Sequence, residues 1–166
     1  MKRAIIILIL ILIPEFIFAQ KEIQRNFFGV EIGEKIQNTE KVLLENGHNI
    51  IESNNNEVVI ENVLLGGFTW DVCWFCHYYE IFYEITFMKN VTKVCLESEF
   101  ESIKGKIKHA YREKDVFFKN EKDDRGNDVI KIADQSGMMI ILSVSPQNNR
   151  DCIRLDYTNI LIIEPI

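Results

Sequence analysis

Cys73-Trp74-Phe75-Cys76-His77 carries more potential chemistry than any other run in this 166-residue chain. Its C-x-x-C-H spacing is that of c-type haem attachment, in which two cysteines form thioethers to the vinyl groups and the histidine ligates the iron. The C-x-x-C part alone would make a redox dithiol if a helix N-terminus stabilised the first thiolate. With Cys95 added, Cys73, Cys76 and His77 would also amount to a zinc ligand set. All three chemistries need side chains that converge, and the local pattern works against that. Phe68, Trp70, Val72, Trp74 and Cys76 alternate with Thr69, Asp71, Cys73, Phe75 and His77, the period of two that marks a half-buried strand. On a strand, Cys73 and Cys76 stand ~10 Å apart and face opposite ways. No metal or other cofactor is therefore expected, and a redox or c-type haem protein built on Cys73, Cys76 and His77 is the alternative function.

The same separation bars a Cys73–Cys76 disulfide, which needs Cα atoms within about 7 Å. Cys73, Cys76, Cys95 and Cys152 are an even set, as expected of a disulfide-bonded protein in an oxidising compartment. The arrangements left are Cys73 with Cys95 and Cys76 with Cys152, or the reverse. Against them stand free cysteines acting as small core residues.

Enzyme signatures are scarce. The chain has no H-E-x-x-H, G-x-S-x-G, G-x-x-x-x-G-K-[ST] or G-x-G-x-x-G motif. His48 follows a predicted helix end and His109 sits beside Lys108 on a predicted helix face, positions of solvated or capping residues. Asp123 to Asp128 lacks the distal glutamate of a calcium loop and reads as a turn. A non-catalytic protein is the expectation. What remains is an aromatic bias, with nine of 18 aromatic residues between Phe68 and Phe87. Phe68, Trp70, Trp74, Tyr83 and Phe87 are expected to fill the core. Phe75, Phe82 and His77 have the opposite parity, with Asp71, Glu80 and Glu84 among them. An apolar group rimmed by acids on an open sheet face marks a contact surface. Phe75, His77, Phe82 and Glu84 are thus the candidate partner-binding residues.

The elements that position these residues begin after a removable segment. Met1-Lys2-Arg3, the apolar run Ala4 to Ile13, and Phe16-Ile17-Phe18-Ala19 ahead of Gln20 have the three-part layout of a signal peptide cleaved after Ala19. The run is shorter than the ~20 apolar residues of a membrane span and is interrupted by Pro14 and Glu15. Losing Lys2, Arg3 and Glu15 takes the net charge from −6 to −7. A soluble periplasmic or secreted product with no stable membrane anchor is expected, and the lack of a basic cluster argues against nucleic acid.

Residues 20–166 are expected to form a single α+β domain. Glu34 to Asn46 suits a helix ended by Gly47. Strands are predicted within 58–65, then across a Gly66-Gly67 hairpin over Phe68–Cys76 and Ile81–Phe87. Ser98-Glu99-Phe100-Glu101 fits a capping box opening a helix over Glu99–Lys114. A charged stretch, Lys119 to Asp128, then precedes strands over Val129–Ala133, Met138–Ser145 and Cys152–Tyr157. The pattern is a helix plus three strands, twice. It predicts an antiparallel sheet with two helices packed on one face.

Phe28-Gly29-Val30-Glu31-Ile32-Gly33, the helix ending near Asn46-Gly47, and Leu65-Gly66-Gly67-Phe68 opening a meander resemble a group of uncharacterised small secreted bacterial proteins. The tandem layout is similar to that of β-lactamase-inhibitor-like proteins and of the outer-membrane assembly lipoprotein fold. The resemblance implies an inhibitor-like module that binds another protein through the open face of its sheet. Unlike the lipoprotein members, this chain has no cysteine after Ala19 to carry a lipid.

Overall fold

A computed structural model of the chain describes residues 22–147 and 150–163, so the expected signal peptide, 1–19, lies outside the described residues. A two-stranded ribbon, β1 (Asn26–Phe27) and β2 (Val30–Glu31), leads into helix α1 (Ile36–Glu45). Four strands follow: β3 (Ile50–Ser53), β4 (Glu57–Leu65), β5 (Phe68–Tyr78) and β6 (Ile81–Asn90). Helix α2 (Leu96–Ala110) starts the plan again, with β7 (Val116–Lys122), β8 (Asp128–Asp134), β9 (Met138–Gln147) and β10 (Arg150–Asn159), before the single turn α3 (Ile160–Ile163). Strands β3 to β10 form one antiparallel sheet in the order β3-β4-β5-β6-β10-β9-β8-β7. The fold is α+β. Among the described residues, no helix is long and apolar enough to cross a membrane.

Each half carries four strands where the sequence predicted three. The unpredicted strands, β3 and β7, are the two edges of the sheet. An edge strand is paired on one side only and buries little. Ile51, Glu52 and Ser53 are exposed, as are Phe117, Phe118, Lys119 and Asn120, so neither strand has a buried stripe to show as alternation. The halves meet through their last strands, with β6 paired to β10 from Cys152↔Asn90 to Thr158↔Glu84.

Helix α1 buries Ile36, Thr39 and Leu43, and α2 buries Phe100, Ile103 and Ile107, at helical spacing. Helix α2 starts one turn before its predicted capping box, with Cys95 at the N-cap. The Ser98 hydroxyl instead donates to the Cys95 carbonyl (2.9 Å), inside the first turn. Both helices share one apolar cluster with Cys73, Phe75, Ile85, Phe87, Leu142, Leu155 and Tyr157 of the sheet.

The parity of that cluster changes along β4 and β5. Val58↔Phe75 and Ile60↔Cys73 are inward pairs, yet the next inward pair is Val63↔Trp70. Between them Asn62 adopts φ 55°, a left-handed turn of the backbone that rotates the rest of β4 by half a pleat. Trp70 therefore faces the core, as predicted, whereas Trp74, two pleats further on, faces out.

Two tight hairpins bound β5. At the first, Leu65 pairs with Phe68 across Gly66 and Gly67, whose φ values of 63° and 80° fit a type I′ turn that glycine adopts without strain. At the second, Tyr78 pairs with Ile81 across Tyr79 and Glu80, which hold φ 48° and 66° with no glycine to ease them. Backbone bonds from the segment before α1 hold this strained turn in place. Ile36 N–H donates to the Glu80 carbonyl (2.9 Å), and Phe82 N–H donates to the Glu34 carbonyl (2.8 Å).

Candidate functional site

Three of the four residues expected on an open face lie instead in the core. Phe75 and Phe82 are 0% exposed and His77 is 5% exposed. The correction follows from the parity change at Asn62, and from a register shift between Cys76 and His77 that leaves Tyr83 as the extra residue of β6. Phe75 and Phe82 stack 5.3 Å apart, and His77 lies 5.7 Å from Phe82. The His77 Nε2 is 3.1 Å from Thr39 Oγ1, which pins α1 to β5. The His77 Nδ1 is buried without a hydrogen-bond partner. Burial lowers the His77 pKa to about 4, so the imidazole is neutral at physiological pH.

The cysteines do not fit the chemistry their spacing suggested. No two of them are bonded: Cys73 is buried in the core, Cys76 faces the other side of the sheet, Cys95 is exposed at the start of α2, and Cys152 donates to Asn90 Oδ1 (3.2 Å). The expected disulfides are thus not formed. Covalent haem does not fit either, because Cys73 and His77 point into the core while Cys76 points away from it. Burial raises the Cys73 thiol well above its ordinary value. The Cys76 thiol is pushed up to about 12 by burial and then by the charges of Glu84 and Glu57. Neither is a thiolate at neutral pH, and the two thiols stand on opposite sides of the sheet, an arrangement unlike that of a dithiol at a helix N-terminus. Among the described residues, no three His, Cys, Asp or Glu side chains gather as a metal site would require.

Glu84 is where the sequence placed it, on the side of the sheet away from the helices, and the pairing brings unexpected neighbours to it. Reading across the strands, Glu57, Cys76, Glu84, Thr158 and Met139 form one row. Val59, Trp74, Thr86, Asp156 and Ile141 form the next. None of these residues belongs to the apolar cluster shared with the helices. At the centre, the Arg154 Nε donates to both Asp156 oxygens (2.8 and 2.9 Å), and its Nη2 lies 3.5 Å from Glu84 Oε1. The Thr86 hydroxyl donates to Asp156 Oδ1 (2.6 Å). Thr158 Oγ1 is close enough to Glu84 to favour its carboxylate but lacks the geometry of a formed bond.

The cluster holds two acids to one guanidinium in a partly dry setting. Burial raises the Glu84 pKa, the Asp156 charge adds to the rise, and Arg154 opposes it. Burial also raises the Asp156 pKa, against the pull of Arg154. When both acids ionise, one negative charge is left over, a place for a cation from outside. Aromatic rings flank it. Trp74 is half-buried in the adjoining row, Tyr83 is close enough to feel the charges of Glu84, Cys76 and Arg154, and Tyr78 lies 6.4 Å from the Tyr83 ring. Beyond them Tyr79, at the strained turn, is 83% exposed and packs edge-on against Tyr78 at 4.5 Å.

Sequence reasoning assigned Trp74 and Tyr83 to the core and passed over Arg154 and Asp156. The signal for the second pair was present, since Ile153, Leu155 and Tyr157 alternate with them and claim the inward positions. Asp123 to Asp128 makes the β7–β8 turn, where Asp123 Oδ1 accepts from the backbone of Arg125 and Asn127. Compared with models of protein families, with curated proteins and with solved structures, the chain matches none.

Proposed function

We propose that this is an exported, soluble, non-catalytic module that binds another protein through the helix-free face of its sheet. The observation that carries the proposal is the group Trp74, Tyr83, Glu84 and Asp156 beside Arg154, continued by Tyr78 and Tyr79 at the turn, outside the apolar cluster shared with the helices. Tyrosine, tryptophan and arginine are the residues from which interface hot spots are most often built, because they add large contact area and a polar tip together. The excess carboxylate favours a partner segment that brings a lysine or arginine to Glu84 and Asp156. The strained Tyr79-Glu80 turn fits the same role, since costly backbone conformations concentrate where a contact must be held ready. Residues 1–19 supply the export step.

Photocrosslinking of the full-length protein in the cells that make it tests this. A photoreactive residue in place of Trp74 should give a discrete protein adduct in the exported fraction, and Glu84→Lys in the same chain should remove it. The same probe in place of Glu97, on α2, should give none. No adduct from Trp74, or an equal one from Glu97, would overturn the assignment.

A further inference from the structure

The other side of the molecule has a cleft of about 190 Å³ between α2 and the β4–β5 hairpin. Its floor and walls are Leu65, Phe68, Trp70, Ile107 and Leu155, three of them (Trp70, Ile107, Leu155) buried. At its mouth stand two cations, Lys106 on the last turns of α2 and Lys114 just beyond the helix end. The Lys106 Nζ donates one hydrogen to the Gly66 carbonyl (3.2 Å) and lies 4.7 Å over the Phe68 ring. The Lys114 Nζ lies 4.2 Å over the Tyr111 ring. Among the described residues, neither ammonium has a carboxylate within ion-pair distance. Partial burial already disfavours the charge of Lys114, so an arriving anion would relieve it.

We infer that this cleft binds a small monocarboxylate whose apolar body enters between Leu65, Trp70 and Leu155 while its carboxylate meets Lys106 and Lys114. The volume sets the size of the ligand. Apolar cavities of ~150 Å³ take benzene, so this one suits a single aromatic ring or a chain of about six to eight carbons. The ammonium groups set the charge, and each has N–H donors to spare after the contacts above. Gly67 lets the Lys106 ammonium lie close against the hairpin backbone, since a side-chain carbon there would come within 2.9 Å of the Nζ and displace the lysine tip.

Octanoate is the probe, with octan-1-ol as its uncharged counterpart, in an NMR titration of the folded protein. Octanoate should shift the amides of residues 65–70 and 103–114, and bind at least about tenfold more tightly than octan-1-ol, as two charge-assisted contacts imply. Lys106→Met with Lys114→Met, which keeps the apolar stems and removes both charges, should abolish that preference by weakening octanoate to the level of octan-1-ol. Both lysines are at the surface, so the double variant retains the core. Ala110→Trp, at the rim, should block both ligands without changing the thermal unfolding of the protein. Equal binding of acid and alcohol, shifts outside the cleft, or no binding of octanoate at millimolar concentration would overturn the inference.

Discussion

Along β5, inward and outward side chains alternate within six residues, and the two sets obey different rules. Cys73, Phe75 and His77 face a dry core under α1, where every group is neutral and the one hydrogen-bonded histidine is tied to Thr39. Trp74, Cys76 and Tyr78 face the other way, beside a carboxylate–guanidinium cluster that keeps some contact with water. The chemistry that C-x-x-C-H promised needs both sets on one side. What the strand does is divide them, so the motif is split into a packing half and a surface half. A cysteine-rich spacing is thus informative only once the pleat that carries it is known.

The sharpest way to break the comparison is to shorten one aromatic on each side. Phe75→Ala removes a fully buried ring and should lower the unfolding free energy by about 3–5 kcal/mol in urea denaturation. Trp74→Ala should cost about 1 kcal/mol or less in the same measurement. Similar losses from the two would mean that both faces are core.

Acid distinguishes the faces by sign. For His77 the folded pKa, about 4, lies below its ordinary 6.5, so the unfolded chain takes up the proton first. Its contribution is present above pH 6.5 and lost as the pH falls toward 4, a loss on the order of 3 kcal/mol. Glu84 and Asp156 have raised values, so theirs is full below the ordinary carboxylate range and declines as the pH rises through the raised values. Urea midpoints from pH 7 to pH 4 should fall less for His77→Gln than for the wild type. They should fall more for Glu84→Gln, which lacks the opposing gain. Parallel pH profiles for all three proteins would erase the distinction.

The smallest effect is expected at the hairpin that joins the two faces. Tyr79→Gly relieves a left-handed backbone worth about 1–2 kcal/mol but adds flexibility to the unfolded chain worth about 0.5–1 kcal/mol. A net gain of roughly 0.5 kcal/mol by thermal unfolding should accompany loss of the proposed partner contact. A loss of stability would show that the exposed ring contributes to packing.

Much of the fold was legible because it rests on periodicity. The inward residues of α2 and of β8 to β10 repeat at 3.6 or 2, and the structure keeps them. The edge strands were hidden because one-sided pairing leaves no alternation to read. The site was misread for a different reason. Period-two patterns give relative orientation along a strand, and a single left-handed residue in the neighbouring strand, Asn62, reset it without a mark in β5 itself. Glu84 survived because it lies beyond the second shift; the alternation along β10 marks Arg154 and Asp156 as outward, but only the pairing of β10 to β6 across roughly 70 residues brings them to Glu84.

That long-range pairing also sets an order of events. A chain that folds from its N-terminus can complete β3 to β6 as a local meander, and then waits for β10. At ~5–20 residues per second, synthesis of the intervening stretch takes several seconds. The edges that the finished sheet keeps, β3 and β7, are mostly polar or exposed. The edge that exists only during the wait, Ile81–Asn90, carries Phe82, Ile85, Phe87 and Met88 with one side of its backbone unpaired. An apolar edge open to aggregation is therefore one that the finished form of this protein does not display.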